Sequence, residues 1–129
     1  MRFLALLRMT NSCANRVTGE VIYFMEEALK QLILQARAMI VHHEYKKCEK
    51  MLRGAMSDYP HEAVPHNLMG LLYEKQDDHV TAMKHFRAAW SLDPTYVPAL
   101  QNLDSFGRIF SEKRYIFDEN DAEQTKSHT

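Results

Sequence analysis

The sequence predicts an all-α protein in which antiparallel helix pairs stack into a short right-handed α-solenoid. Glycine and proline number four each in 129 residues, too few for a turn-rich β-sandwich or a glycine-rich phosphate loop. Apolar residues recur at three- and four-residue steps from about Gly19 onward, which is the spacing of amphipathic helices. The chain also repeats itself with a period of 34 residues, as stacked helical hairpins do.

Composition limits the class of partner and the compartment. Lysine plus arginine is 16 and aspartate plus glutamate is 17, a balance that excludes a generic basic nucleic-acid binder and a polybasic membrane-surface protein. The apolar run at residues 3–7 is too short for a secretory signal, and residues 21–41 carry four charged side chains, unlike a membrane span. Because Cys13 and Cys48 are too few for a disulfide scaffold, we expect free thiols and a cytoplasmic location.

Two helices are predicted on the N-terminal side of Pro60. Residues 1–18 show no clear period and are predicted to form a flexible or weakly helical leader. Helical periodicity begins near Gly19, lapses at residues 42–44, and resumes until the chain reaches Pro60. The lapse indicates a soft break between two helices, although no glycine or proline interrupts the chain there.

Three further helices and a tail follow Pro60. A third helix is predicted to begin near Glu62 with Pro65 in its first turn, where a missing N–H costs nothing. The fourth covers about residues 80–92, and the fifth runs from about 97 to 113. Residues 114–129 are acidic and polar and are predicted to be a disordered tail.

The 34-residue period keeps its register without an insertion. Residues that recur at this distance include Pro60 and Pro94, Ala55 and Ala89, and Leu52 and Phe86. Small residues allow two helices to approach closely, and large ones fill the space beside them. One pair cannot bury its apolar face alone. We therefore expect a helical domain over residues 19–113, with repeats at 29–62 and 63–96, a partial repeat at 97–113 and a capping helix at each end.

Residues 63–96 resemble a tetratricopeptide repeat (TPR), a helix–turn–helix unit of 34 residues. The residues that carry the resemblance are Met69, Gly70 and Tyr73 in the first helix, Ala82, Phe86 and Ala89 in the second, and Pro94 after it. His66 stands where the family usually has tryptophan. The resemblance implies a small TPR protein that binds other proteins and is not an enzyme.

In a solenoid of this kind the first helices of successive units line the concave face. The side chains predicted on that face are Lys30, Ile33, Arg37, Asn67, Leu71, Glu74, Gln101, Asn102, Ser105 and Arg108. We expect an extended peptide of a partner protein to dock there through its backbone amides and through charge. The alternative is that these positions are ordinary solvated helix surface. The lysine, asparagine and arginine set by which one subclass of the family grips a terminal carboxylate is not matched, since its places include Ile33, Leu68 and Pro98.

Other functions have weaker support in the sequence. No catalytic motif is present, the seven histidines lack metal-ligand spacing, and no cofactor is expected. A self-associating homo-oligomer remains an alternative, and a small all-α metal protein is a third. Residues 115–119 join an apolar triplet to an acidic pair. They form a possible docking motif for a neighbouring molecule's groove, although fraying is favoured.

Overall fold

A computed structural model describes residues 14–109 and 113–126 of the chain, with side chains from residue 22 to 124 within those ranges. The described residues form six helices and no strand, so the all-α prediction is confirmed. The helices are α1 (Ala14–Val41), α2 (Tyr45–Asp58), α3 (Ala63–Lys75), α4 (His79–Leu92), α5 (Val97–Gly107) and α6 (Glu119–Lys126). None of these helices combines the length and the apolar character needed to cross a membrane.

Both ends of the helical region differ from the sequence prediction. Helix α1 begins at Ala14, inside the predicted leader, whose first 13 residues lie outside the described part. Helix α5 ends at Gly107, before the predicted limit near residue 113. The predicted disordered tail contains α6, whose start is fixed because Asp118 Oδ1 accepts the main-chain N–H of Asp121 at 2.9 Å.

The 34-residue period reappears in the positions of the helices. Helix α4 begins and ends 34 positions after α2. Each is preceded by a residue in the left-handed region, His43 with φ 59° and Asp77 with φ 62°. The hydrogen bonds that close the two turns also match, because Glu44 N donates to Met39 O at 2.8 Å and Asp78 N donates to Tyr73 O at 2.9 Å. The repeat is therefore a repeat of backbone geometry as well as of residue type.

Helix α3 lies at the centre of the packing. It contacts α1, α2, α4 and α5, while α6 contacts α5. The main cluster of buried apolar side chains runs from Leu29 on α1 to Phe117 beyond α5. At the crossing of α3 and α4, a Cβ atom on Gly70 would overlap the ring of Phe86. The close approach of these two helices therefore requires glycine at this position.

Candidate functional site

The candidate site is one face of the helices α1, α3 and α5, here called the α1/α3/α5 face, which carries Arg37, Asn67 and Asn102. Residues 113–126, here called the C-terminal segment, lie against this face. The segment has no regular secondary structure from residue 113 to 117 and, after a bend at Asp118, enters α6. Ile116 is 4% exposed and Phe117 is 8% exposed. The face predicted to be open to a partner is therefore covered by the chain's own residues.

Two asparagines, both fully buried, hold the main chain of the segment. Asn102 Oδ1 accepts the N–H of Ile116 at 3.0 Å, and Asn102 Nδ2 donates to the Ile116 carbonyl at 2.8 Å. Asn67 Nδ2 donates to the same carbonyl at 3.1 Å, and its Oδ1 accepts from Asn102 Nδ2 at 2.8 Å. Buried amides need such partners, because an unpaired one is costly. The contacts involve main-chain atoms of Ile116, so its side chain does not determine them.

Arg37 supplies the positive charge of the site. Its guanidinium lies 4.8 Å from the centre of the Phe117 ring, a cation–π distance. It also pairs with two carboxylates, Asp118 at 3.8 Å and Asp121 by a short hydrogen bond. Asp121 in turn accepts the main-chain N–H of Phe117 at 3.1 Å. Arg37 therefore holds the aromatic ring and the first turn of α6 together.

Tyr115 contacts the opposite end of the face. Lys75 Nζ lies 4.0 Å from the centre of the Tyr115 ring. The same ring meets Phe106 edge-on at 5.2 Å, and Phe106 stacks on Phe86. Burial, and then the negative charge of Glu74, raise the pKa of the Tyr115 hydroxyl. Through Tyr115 the segment therefore contacts the apolar side chains packed between α3, α4 and α5.

Five of the predicted groove residues contact the C-terminal segment through their side chains. Besides Arg37 and the two asparagines, Gln101 Nε2 donates to Ala122 O at 3.4 Å. Ser105 Oγ accepts the N–H of Arg114 at 3.5 Å. The structure therefore brings these five side chains to one surface.

The other predicted residues are placed differently. Ile33 and Leu71 are buried in the core, because the face is packed rather than open. Lys30 pairs with Glu27 on its own helix at 3.6 Å, and the Arg108 side chain pairs with Asp104 at 2.8 Å. Glu74 Oε1 bonds His79 Nδ1 at 2.6 Å.

Sequence reasoning missed the residues that complete the site. Lys75 and Phe106 were not predicted on the groove, and residues 115–121 were assigned to a disordered tail. The signal available was the apolar triplet at residues 115–117 inside an acidic stretch. Ile116 and Phe117 of this triplet are buried, so the packing of the segment depends on them as well as on its polar residues.

A second cluster lies between α3 and α4. His66 Nδ1 and His85 Nδ1 are 3.2 Å apart, and the Tyr73 ring stacks on His85 with centres 5.5 Å apart. Burial lowers the pKa of both histidines, and the neighbouring His66 lowers that of His85 further. Within the described residues no group of three or more histidine, cysteine, aspartate or glutamate side chains could hold a metal ion.

Comparisons with known proteins identify no relative. No protein-family model matches the chain, and no curated protein or solved structure matches it. What the site can do follows from its own contacts, which hold an extended main chain at Asn102 and carboxylates at Arg37.

Proposed function

We propose that the chain is a non-enzymatic protein-binding module that presents its α1/α3/α5 face to an extended segment of a partner protein. The observation that carries the proposal is the set of hydrogen bonds from Asn102 and Asn67 to the main chain of Ile116. An amide pair that bonds main-chain atoms accepts an extended segment with any residue except proline at that position. Main-chain bonds of this kind provide affinity in peptide recognition, while neighbouring pockets provide specificity.

The fold that supports this function is a short right-handed solenoid of TPR-like units, about two and a half in number. Supporting it, α2 and α4 have matching bounds 34 positions apart. The first helices of successive units are also neighbours, since α1 contacts α3 and α3 contacts α5. Side-by-side first helices form one continuous surface, which is the binding surface of stacked repeats.

The proposed location is the cytoplasm. Its support is the small number of cysteines. Burial raises the pKa of the Cys48 thiol to about 11, so that the thiol stays protonated near neutral pH and packs as a small apolar side chain.

The test is a screen of the full-length protein against displayed random peptides, followed by titration of the selected peptides. Side-chain amide NMR signals of Asn67 and Asn102, assigned by loss in Asn67→Ala and Asn102→Ala, are expected to shift as peptide is added. Asn102→Ala should weaken the affinity by about tenfold, because it removes both bonds to one main-chain residue.

Lys84→Ala is the control, because Lys84 is an exposed cation on α4, away from the face. It should bind like the unmodified protein. Selected peptides that bind Asn102→Ala equally well and leave both amide signals unmoved would contradict the proposal.

A further inference from the structure

We infer that the C-terminal segment is a built-in occupant of the α1/α3/α5 face and that a partner segment of the same chemistry displaces it. That chemistry is two aromatic residues on either side of one extended, non-proline residue, followed by a helix start with carboxylates three positions apart. The inference rests on the proposed function, since it names the class of segment that the same face takes.

The central position of this segment is defined by backbone geometry. Asn102 bonds both the N–H and the carbonyl of Ile116, and these two groups of one residue point to the same side only when the chain is extended. A proline at this position has no N–H to donate. The partner therefore needs an extended, non-proline residue at the place of Ile116.

The flanking positions select rings because each faces a cation. Lys75 lies 4.0 Å from the centre of the Tyr115 ring, and Arg37 lies 4.8 Å from the centre of the Phe117 ring. A cation over an aromatic face is attracted by the ring quadrupole. Phe117 is also part of the main core cluster. An aromatic residue on either side of the central position matches both environments.

The acidic part of the segment matches Arg37 and the start of α6. Asp118 caps the helix through Asp121 N at 2.9 Å, and both carboxylates pair with Arg37. Negative charge at a helix N-terminus is favoured by the helix dipole. Residues 114–123 carry four acidic side chains and one arginine. The partner is therefore acidic directly after its second ring.

A partner can bind only those molecules whose face is open. An intramolecular occupant therefore lowers the partner's apparent affinity in proportion to the fraction of molecules with an open face. A tethered segment acts at an effective concentration of about millimolar. The ion pairs that hold the first turn of α6 are only part-buried, with the Arg37 side chain 38% exposed. Salt screens such pairs, so release of the segment is sensitive to ionic strength.

The experiment measures binding of a fluorescent peptide with the sequence of residues 113–124 to the full-length protein by anisotropy. Ile116→Pro in the protein removes the N–H that Asn102 accepts and should release the segment. The peptide should then bind about tenfold more tightly or better than it binds the unmodified protein. Ile116→Val, which keeps the N–H, is the matched control and should bind like the unmodified protein.

A milder variant covers the case in which Ile116→Pro loses helix content by circular dichroism. The double variant Asp118→Asn with Asp121→Asn removes only the charges paired with Arg37. It should also bind the peptide more tightly, by about threefold.

Two probes test the chemistry of the partner. A scrambled peptide and a peptide carrying Asp118→Asn and Asp121→Asn should bind the released protein at least about threefold more weakly. Adding Asn102→Ala to the released protein should abolish the gain. Equal binding of all three peptides, still lost with Asn102→Ala, would overturn the partner chemistry while leaving the proposed function intact.

Three other outcomes would contradict the proposed function, the intramolecular arrangement or the competition for the face. If no extended peptide binds any variant, both the inference and the proposed function are wrong. If sedimentation shows a dimer that Ile116→Pro dissociates, the occupant comes from a second copy and the intramolecular arrangement is wrong. If the peptide binds the unmodified protein and Ile116→Pro equally, the segment does not compete for the face.

Discussion

The two sides of α3 are packed in different ways. On one side Gly70 meets the ring of Phe86 across the crossing with α4, an apolar contact of small against large. On the other side Asn67 and its neighbour Asn102 hold the main chain of Ile116, a polar contact between distant parts of the sequence. The first contact joins helices within one repeat. The second joins the repeats to a segment outside them.

Side-chain packing and hydrogen bonding therefore determine different features of this protein. The crossing has no room for an added methyl group, so it fixes the distance between α3 and α4. The asparagines fix which main-chain atoms lie on the α1/α3/α5 face, because each buried amide group requires a partner. A substitution at the crossing should therefore affect global stability, whereas one at the face should mainly affect the C-terminal segment.

The largest effect is expected for Gly70→Ala. The added Cβ overlaps the Phe86 ring, and overpacking of this kind costs about 1–3 kcal/mol of unfolding free energy. Gly54→Ala is the matched control, because nothing lies within 4 Å of a Cβ at that helical position. It should stabilise by about 0.5–1 kcal/mol. Urea denaturation measures both. A neutral Gly70→Ala would mean that α3 and α4 do not approach as closely as described.

This contrast also explains what could be predicted from the sequence. Gly70 and Phe86 belong to a 34-residue pattern, so several repeated positions indicate the same crossing. The register likewise predicted Arg37, Asn67 and Asn102 on one face, and all three contact the segment there. These predictions depend on the 34-residue register and, for the face, on the analogy with stacked helical repeats.

The occupant of the face could not be predicted in the same way. Asn67 and Ile116 are 49 positions apart, and no periodic pattern links them. Only three apolar residues precede Asp118, a run too short to outweigh the acidic composition around it. The start of α1 was missed for a related reason, because Gly19 suggested a boundary although a single glycine inside a helix is tolerated.

A moderate effect is expected for Arg37→Gln, which tests the polar side of the comparison. The change removes the pairs with Asp118 and Asp121 and the contact with Phe117. Because the side chain is 38% exposed, the loss should be about 1 kcal/mol at low salt and smaller at high salt.

Hydrogen exchange at the Ile116 amide measures this loss. It should accelerate in Arg37→Gln, while exchange in the interior of α3 stays slow. Lys84→Gln removes an exposed cation from α4 and serves as the control. Equal acceleration in α3 and at Ile116 would show that the segment and the repeats open together, which would remove the distinction drawn between the two sides of α3.

The smallest expected effect is the change in stability with pH. Measuring this change tests the crossing of α3 and α4 a second time. Burial lowers the pKa of His66 and His85 in the folded protein, so the unfolded chain binds more protons just below about pH 6.5. Their contribution to stability is therefore complete above about pH 6.5 and is lost as pH falls through the lowered folded values. Urea midpoints at pH 7 and pH 5.5 should differ less in His66→Gln than in the exposed-site control His61→Gln, and an equal difference would exclude the histidine pair as the cause.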